Sequence, residues 1–275
     1  MIVVTGATGN VGRSLVRDLA AAGLPVTAVS RRPSASDADW PAGVRHRTAD
    51  LAEPESLRSL LDGADALFLL VAGEQPQALL GAAKSAGVRR VVLLSSQGAA
   101  TRPEIYRQPA AFEDAVRRSG LAWTILRPGG FDSNAYMWAE SIRTHRTAAA
   151  PFGDVGLPTI DPADIAAVAA IALRDDSHAG NAYVLTGPAL ISPHQRVQAI
   201  EDALGEPVRF VEQSREEARA QMLHLMPEPI VEGTLAILGA PTSAEQQVSP
   251  DVEHILSRPP RTFAEWAARN VDAFQ

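Results

Sequence analysis

Ile2-Val3-Val4, an apolar run, leads straight into Thr5-Gly6-Ala7-Thr8-Gly9-Asn10-Val11-Gly12. Such a run followed by closely spaced glycines predicts a strand, a tight turn and the start of a helix. The helix pattern follows: Val11, Leu15, Val16 and Leu19 recur on one face, and Gly23 marks the end. A second strand, Val26–Val29, comes next. This joint is what a dinucleotide requires. Its pyrophosphate must approach backbone N–H groups closely at a helix N-terminus, and only glycine leaves that room. The spacing is G-x-x-G-x-x-G rather than G-x-G-x-x-G. An ordinary strand–helix turn is the alternative. The flanking strand and helix favour the nucleotide site, with Gly6, Thr8, Gly9, Asn10, Val11 and Gly12 as its cradle.

The alternation continues along the chain. Val44–Thr48 reads as a third strand, and a helix is expected from Pro54 to Leu61. Ala66–Val71 is apolar throughout, as befits a parallel strand covered on both faces. A helix of small residues from Gln77 to Ala86 precedes Val91-Val92-Leu93-Leu94, and a helix over Pro109–Arg118 precedes Trp123-Thr124-Ile125-Leu126. This rhythm predicts an α/β fold with a doubly wound parallel sheet of Rossmann type. A buried helix over residues 161–173 and a short strand Tyr183–Leu185 are expected to follow. Beyond Pro188 helical segments predominate, among them His194–Leu204 and Arg215–Met226, and they predict a smaller, mostly helical lobe. The chain thus divides into a dinucleotide-binding core, residues 1–130, and a mixed region, residues 131–275. The second region completes the sheet and forms a substrate lobe, and the two are expected to make one compact unit. Near residue 262, Thr262 and Glu265 have capping-box spacing, and Phe263 and Trp266 are expected to anchor the helix they open.

Composition narrows the function. With 275 residues, 46% hydrophobic and 21% charged, the chain has the make-up of a globular protein with a sizeable core. A net charge of −7 argues against nucleic acid or an anionic membrane as partner. There is no cysteine, which excludes disulfides, thiolate nucleophiles and Cys-held metals. No apolar stretch reaches membrane-spanning length, and the first strand leaves no room for a signal peptide, so a cytoplasmic location is expected. His46, His145, His178, His194, His224 and His254 show no metal-ligand spacing, and no metal is expected. There is no G-x-S-x-G, H-E-x-x-H or Walker loop.

In dinucleotide folds that take NAD, an acidic residue past the glycines receives the ribose hydroxyls. Here the end of the second strand reads Ser30-Arg31-Arg32, with guanidiniums in place of a carboxylate. A guanidinium fork suits an adenosine 2′-phosphate, so NADP(H) is favoured over NAD(H), with Arg31 on the phosphate. A solvated loop is the alternative. Asp50 and Leu51 are expected to meet the adenine, although Asp50 also suits the N-cap of the next helix. Val71 and Ala72, ending the fourth strand, are expected to line the ribose and pyrophosphate.

With these residues in view, the chain resembles the NmrA-like group of atypical short-chain dehydrogenase/reductases. The matching pieces are T-G-A-T-G-N-V-G at 5–12, A-D-L at 49–51 and V-V-L-L-S-S at 91–96. S-G-L-A-W-T-I-L-R-P-G-G-F at 119–131, D-P-A-D-I-A at 161–166 and A-Y-V-L-T-G at 182–187 continue the match. The resemblance implies a nicotinamide cofactor and a substrate pocket beyond the carboxyl ends of the strands. It implies that Arg127-Pro128-Gly129-Gly130-Phe131 passes near the nicotinamide, so Pro128 and Gly129 join the cofactor set. Ser95 and Ser96 are expected to contact cofactor or substrate rather than to act as nucleophiles.

Better-known members of that superfamily use a Tyr with a Lys four residues later. Here Tyr106 has Ala110 at that place, Pro109 stands four residues before Glu113, and the one lysine, Lys84, lies elsewhere. Tyr106 remains a candidate proton donor, with Ser96 beside the site, and a loop aromatic over the pocket is the alternative for Tyr106. Hydride delivery to a quinone needs positioning and charge stabilisation more than a strong acid, because the product is a stabilised aromatic. The expected acceptor is therefore a small aromatic, quinone-like molecule, in detoxification or natural-product tailoring. Gln97, Phe131, Tyr136, Trp138 and Phe152 are the candidate lining, and a core between lobes is the alternative for the aromatics. The reading leaves room for self-association. Two rival functions stay open. One is a redox sensor that binds the dinucleotide and regulates a protein partner. The other is a sugar-nucleotide-type epimerase.

Overall fold

A computed structural model of the chain describes residues 1–32 and 40–275. Nine strands are described: β1 Ile2–Thr5, β2 Val26–Ser30, β3 Val44–Thr48, β4 Ala66–Leu70, β5 Arg90–Leu94, β6 Ala122–Pro128, β7 Thr147–Ala150, β8 Asn181–Leu185 and β9 Arg209–Glu212. Seven form one sheet in the order β3-β2-β1-β4-β5-β6-β8. The five pairs from β3 through β6 are parallel. β1 has β2 on one side and β4 on the other, so strand order reverses there, and the turn after β1 opens at the switch point. The expected doubly wound sheet is present.

The chain forms two compact units. The first comprises Met1–Ala100, Arg107–Pro128 and Pro162–Val184, and the second Thr101–Tyr106, Gly129–Asp161 and Leu185–Gln275. In the first, Val3, Leu67, Leu69, Val91, Leu93 and Ile125 form the buried middle of the sheet. Val11, Leu15, Val16 and Leu19 are the buried face of helix Asn10–Ala21, the stripe predicted from their spacing. Helix Pro162–Ala172 packs against that helix. It is apolar nearly all round and mostly buried, as a helix shielded on several sides must be.

The second unit has two small apolar cores, one around Ile142, Ile200, Trp266 and Phe274, the other around Ala218, Val231 and Leu235. Thr262 accepts from the N–H of Glu265, and Glu265 returns the bond, so the capping box opens helix Phe263–Arg269 as expected. Three details depart from the sequence reading. The lobe is mostly helical as expected, but it also holds β7 and β9, which no pattern announced and which pair in parallel as a separate two-stranded sheet. The helix expected over Pro54–Leu61 is one turn, Glu55–Arg58. Ser56 Oγ donates to the carbonyl of Asp50 and accepts from its N–H, closing a local turn that competes with helix. Helix Arg215–Met222 stops short of Met226 because Leu225 N–H reaches back only three residues, to Met222.

Candidate functional site

The glycine turn is built as a cradle. Gly6 has φ +63°, a left-handed conformation that disfavours a side chain, and a Cβ there would lie 2.1 Å from Leu70 Cδ1. At Gly12 a Cβ would lie 2.2 Å from the carbonyl oxygen of Gly6. The turn is therefore as tight as backbone allows. Helix Asn10–Ala21 begins at Gly9 with no side-chain cap and no acidic residue in its first turn. Its leading N–H groups carry the positive end of the helix dipole, the setting that receives a phosphate. Thr8, Gly9 and Asn10 are exposed, while Val11 and Gly12 are buried. These features fit a dinucleotide pyrophosphate.

The carboxyl ends of the parallel strands carry the remaining candidates of the first unit. Arg31 and Arg32 follow β2 and are exposed. Asp50 is exposed and Leu51 is buried after β3. Asp50 does not cap the next helix, Glu55–Arg58, whose N-cap is Pro54. Its Oδ1 accepts from the N–H of Ala52 at 3.0 Å and shapes the turn instead. Val71 and Ala72 are half-buried at the end of β4. Gln97 N–H donates to the carbonyl of Pro128 at 2.9 Å, which ties the ends of β5 and β6 together. Ser96 Oγ accepts from Gly98 N–H at 3.2 Å.

Ser95 turns inward. Its hydroxyl donates to Glu113 Oε1 at 2.7 Å. Arg127 embraces the same carboxylate through Nε at 2.9 Å and Nη2 at 2.6 Å, and Arg117 Nη2 adds a bond at 2.9 Å. Glu113 is 2% exposed. Burial pushes its carboxyl pKa up, but the bonds from Arg127, Ser95 and Arg117 outweigh it and hold the group below the ordinary carboxylate range. Sequence reasoning gave Glu113 no role. The available signal was an acidic residue on the buried face of a helix, four residues before Arg117.

In the second unit, Gly129 N–H donates to the carbonyl of Leu185 at 3.0 Å. Phe131 is half-buried and bridges to Ile160. Trp138 is 5% exposed and gives its indole N–H to the carbonyl of Ala149 at 2.8 Å. Tyr136 donates to Asn270 Oδ1 at 2.5 Å and meets Trp266 edge-on, with ring centroids 5.1 Å apart. The structure thus places Trp138 in a packed core with Tyr136 at its edge. Phe152 is half-buried, at φ +57°, with its ring where a Cβ on Gly239 would stand 2.6 Å from Cζ.

Tyr106 is half-buried at the end of the segment Thr101–Tyr106. Arg102 of that segment grips Glu245 through Nε at 2.7 Å and Nη2 at 2.8 Å. Ile105 sits in the notch of Gly233, where a Cβ would be 2.6 Å from its Cγ2. The segment is pinned on both sides of its chain by contacts far away in sequence. Among the described residues no group of three His, Cys, Asp or Glu is placed to hold a metal, and no helix is long and apolar enough to cross a membrane.

Comparison with known proteins agrees with this geometry. A family model described as NAD(P)H-binding matches residues 6–176. The chain is 36% identical over 282 residues to (4-alkanoyl-5-oxo-2,5-dihydrofuran-3-yl)methyl phosphate reductase of Streptomyces griseus, covering 100% of this chain and 99% of the relative. It is 36% identical over 283 residues to NAD(P)H azoreductase of Xenophilus azovorans, with the same 100% and 99% coverage. The crystal structure of an NADPH-dependent quinone oxidoreductase of Escherichia coli in complex with NADPH superposes with a TM-score of 0.81 at 26% identity, covering 98% of this chain and 99% of that one. This chain belongs to the NAD(P)H-binding family, among the NAD(P)-dependent oxidoreductases of the atypical short-chain dehydrogenase/reductase type.

Proposed function

We propose that this oxidoreductase reduces a planar aromatic, quinone-like acceptor and prefers NADPH to NADH. The observation that carries the reading is the uncapped, glycine-walled helix start, in a chain whose relatives include an azoreductase and a quinone oxidoreductase. The preference rests on Arg31 and Arg32, both exposed at the end of β2, where a guanidinium suits a 2′-phosphate.

When bound, the nicotinamide supplies the hydride. The backbone N–H groups from Gly9 onward would seat the pyrophosphate, and Arg31 would pair with the 2′-phosphate. Asp50 and Leu51 would hold the adenine, and Val71 and Ala72 the ribose. Glu113 fixes Arg127 and Ser95, so the ends of β5 and β6 stay rigid beside the reacting ring. Pro128 and Gly129 continue that wall. Tyr106 is assigned the proton for the reduced acceptor, and Ser96 a polar contact to cofactor or acceptor. Gln97 and Phe131 contact the acceptor. Quinone reduction adds one hydride and one proton, and the intermediate anion is aromatic, so a single hydroxyl donor suffices without an adjacent lysine.

The test is loss of reduced-nicotinamide absorbance with NADPH and then NADH, across quinones, azo dyes and polyaromatic ketones. Acceptor-dependent loss, faster with NADPH, is the expected result. Saturable cofactor binding with no turnover on any acceptor overturns the reading and leaves a dinucleotide-binding regulator. Arg31→Ala is expected to weaken NADPH about tenfold more than NADH, the size of one charge-assisted contact.

A further inference from the structure

Ser30, the last residue of β2, is 6% exposed, and among the described residues its hydroxyl has two polar neighbours. The oxygen lies 2.6 Å from the carbonyl oxygen of Arg32 and 2.8 Å from Nε2 of His46. A carbonyl accepts only, and a hydroxyl has one proton, so that proton goes to Arg32. The serine oxygen is then the acceptor for His46, which must present Nε2–H. The three groups form a directed relay from His46 through Ser30 to the backbone of Arg32.

His46 is held for this task. It lies on β3, opposite Ala28 of β2 in parallel register. Its ring stacks on Trp40, with centroids 5.2 Å apart and planes 13° from parallel. The stack fixes the ring plane and the strand pairing fixes its height, which together aim Nε2 at Ser30. The relay closes the turn Ser30-Arg31-Arg32 from within, with Arg31 at the middle of the bend and both guanidiniums exposed.

We propose that His46 and Ser30 are positioning residues for cofactor choice: by fixing the carbonyl of Arg32 they hold the Arg31–Arg32 turn in the shape that receives a 2′-phosphate. The inference rests on the NADPH preference proposed above. Without the relay the turn must be ordered at the moment of binding, and that cost falls only on a ligand that uses the turn. A cofactor with a free 2′-hydroxyl leaves both arginines in water and gains nothing from the order.

The experiment is calorimetric titration of the protein with adenosine 2′,5′-bisphosphate and with adenosine 5′-monophosphate, with no acceptor present. His46→Ala and Ser30→Ala are each expected to weaken the bisphosphate about five- to tenfold while changing the monophosphate less than about twofold, as loss of preorganisation predicts. The double variant is expected to be no worse than either single one, because both break the same relay. His46→Gln, whose amide N–H reaches the Nε2 position, is expected to restore affinity, and His46→Asn, whose shorter amide does not reach it, is not. Far-UV circular dichroism confirms that each variant is folded, and His46→Gln against His46→Asn decides the matter if an alanine variant is not. Equal weakening of both ligands, or no weakening of the bisphosphate, overturns the relay. Arg31→Ala with Arg32→Ala separates the two claims. If that pair leaves bisphosphate binding unchanged, the NADPH preference itself fails. If it weakens binding while the His46 and Ser30 variants do not, the relay alone fails.

Discussion

Glu113 in the first unit and Glu245 in the second are both nearly sealed from solvent, at 2% and 1% exposure, and both are held by arginine forks. Their surroundings differ. Glu113 draws on Ser95, Arg117 and Arg127, at most 18 residues away, and welds a helix to the ends of two neighbouring strands. Glu245 draws on Arg102, 143 residues away, and on the N–H of Thr242, at the start of a four-residue helix. One carboxylate stiffens a wall already set by the parallel sheet. The other, with the notch of Gly233, holds the Tyr106 segment in place. A buried ion pair need not add net stability, but removing one partner strands the other.

The sharpest way to test the contrast is to delete each carboxylate. Glu113→Ala leaves Arg117, Arg127 and the Ser95 hydroxyl facing an apolar methyl, and about 3–5 kcal/mol of unfolding free energy is expected to be lost in urea titrations. Glu245→Ala strands one guanidinium and is expected to cost about 3 kcal/mol, near the lower end of that range. The reverse order would make the long-range clasp the stronger of the two.

Acid titration comes next in size. Burial pushes the Glu245 carboxyl up, but Arg102, Thr242 and Thr101 bring it from 4.5 down to about 2. A folded pKa below the unfolded one means a contribution that is full above pH 4.5 and is lost as pH falls toward about 2. The loss is on the order of 3 kcal/mol. Glu245→Gln is expected to flatten this acid limb in melts taken between pH 5 and about 2, and an unchanged limb would place the titration elsewhere.

Smaller still is Gly233→Ala. The new methyl would stand 2.6 Å from Ile105 Cγ2, and crowding of that kind costs about 1–3 kcal/mol against a helix-propensity gain of about 1 kcal/mol. Adding Ile105→Ala is expected to recover most of the loss, and strict additivity in that double-mutant cycle would mean the two side chains do not meet. Smallest is Arg215→Ala, which breaks an exposed pair with Glu232 and is expected to leave the melting curve unchanged at low and high salt.

The same contrast governs what could be read in the chain. β1, β2, β4 and β5 are buried, mostly apolar segments that continue into glycines, serines or a charged turn, so their pattern is local and visible. The glycine cradle was visible for the same reason. β7 and β9 were not, because Thr-Ala-Ala-Ala and Arg-Phe-Val-Glu carry no sustained alternation and pair only through distant sequence. Tyr136 and Trp138 could be read as pocket or core, since apolar lining and apolar core share a composition. It took Trp266 and Phe274, near the far end of the chain, to show that they pack. Glu113 and His46 stayed silent because a charged or imidazole side chain on one element says nothing of the hydroxyl waiting on another.

The interleaving of the two units has a bearing on biosynthesis. Helix Asn10–Ala21 is made long before the helix that covers it, Pro162–Ala172, and before the last residues of its unit, through Val184. A ribosome that has delivered the six strands β1 to β6 has therefore not delivered a finished cofactor domain, and helix Asn10–Ala21 still waits for its covering helix. A fragment cut at residue 130 is expected to be sticky and unable to keep a nucleotide, while one extended to residue 185 holds the whole sheet and its cover but lacks most of the second unit. The dinucleotide fold here is a late product of its own synthesis, and chaperone demand should peak in the interval between those two lengths.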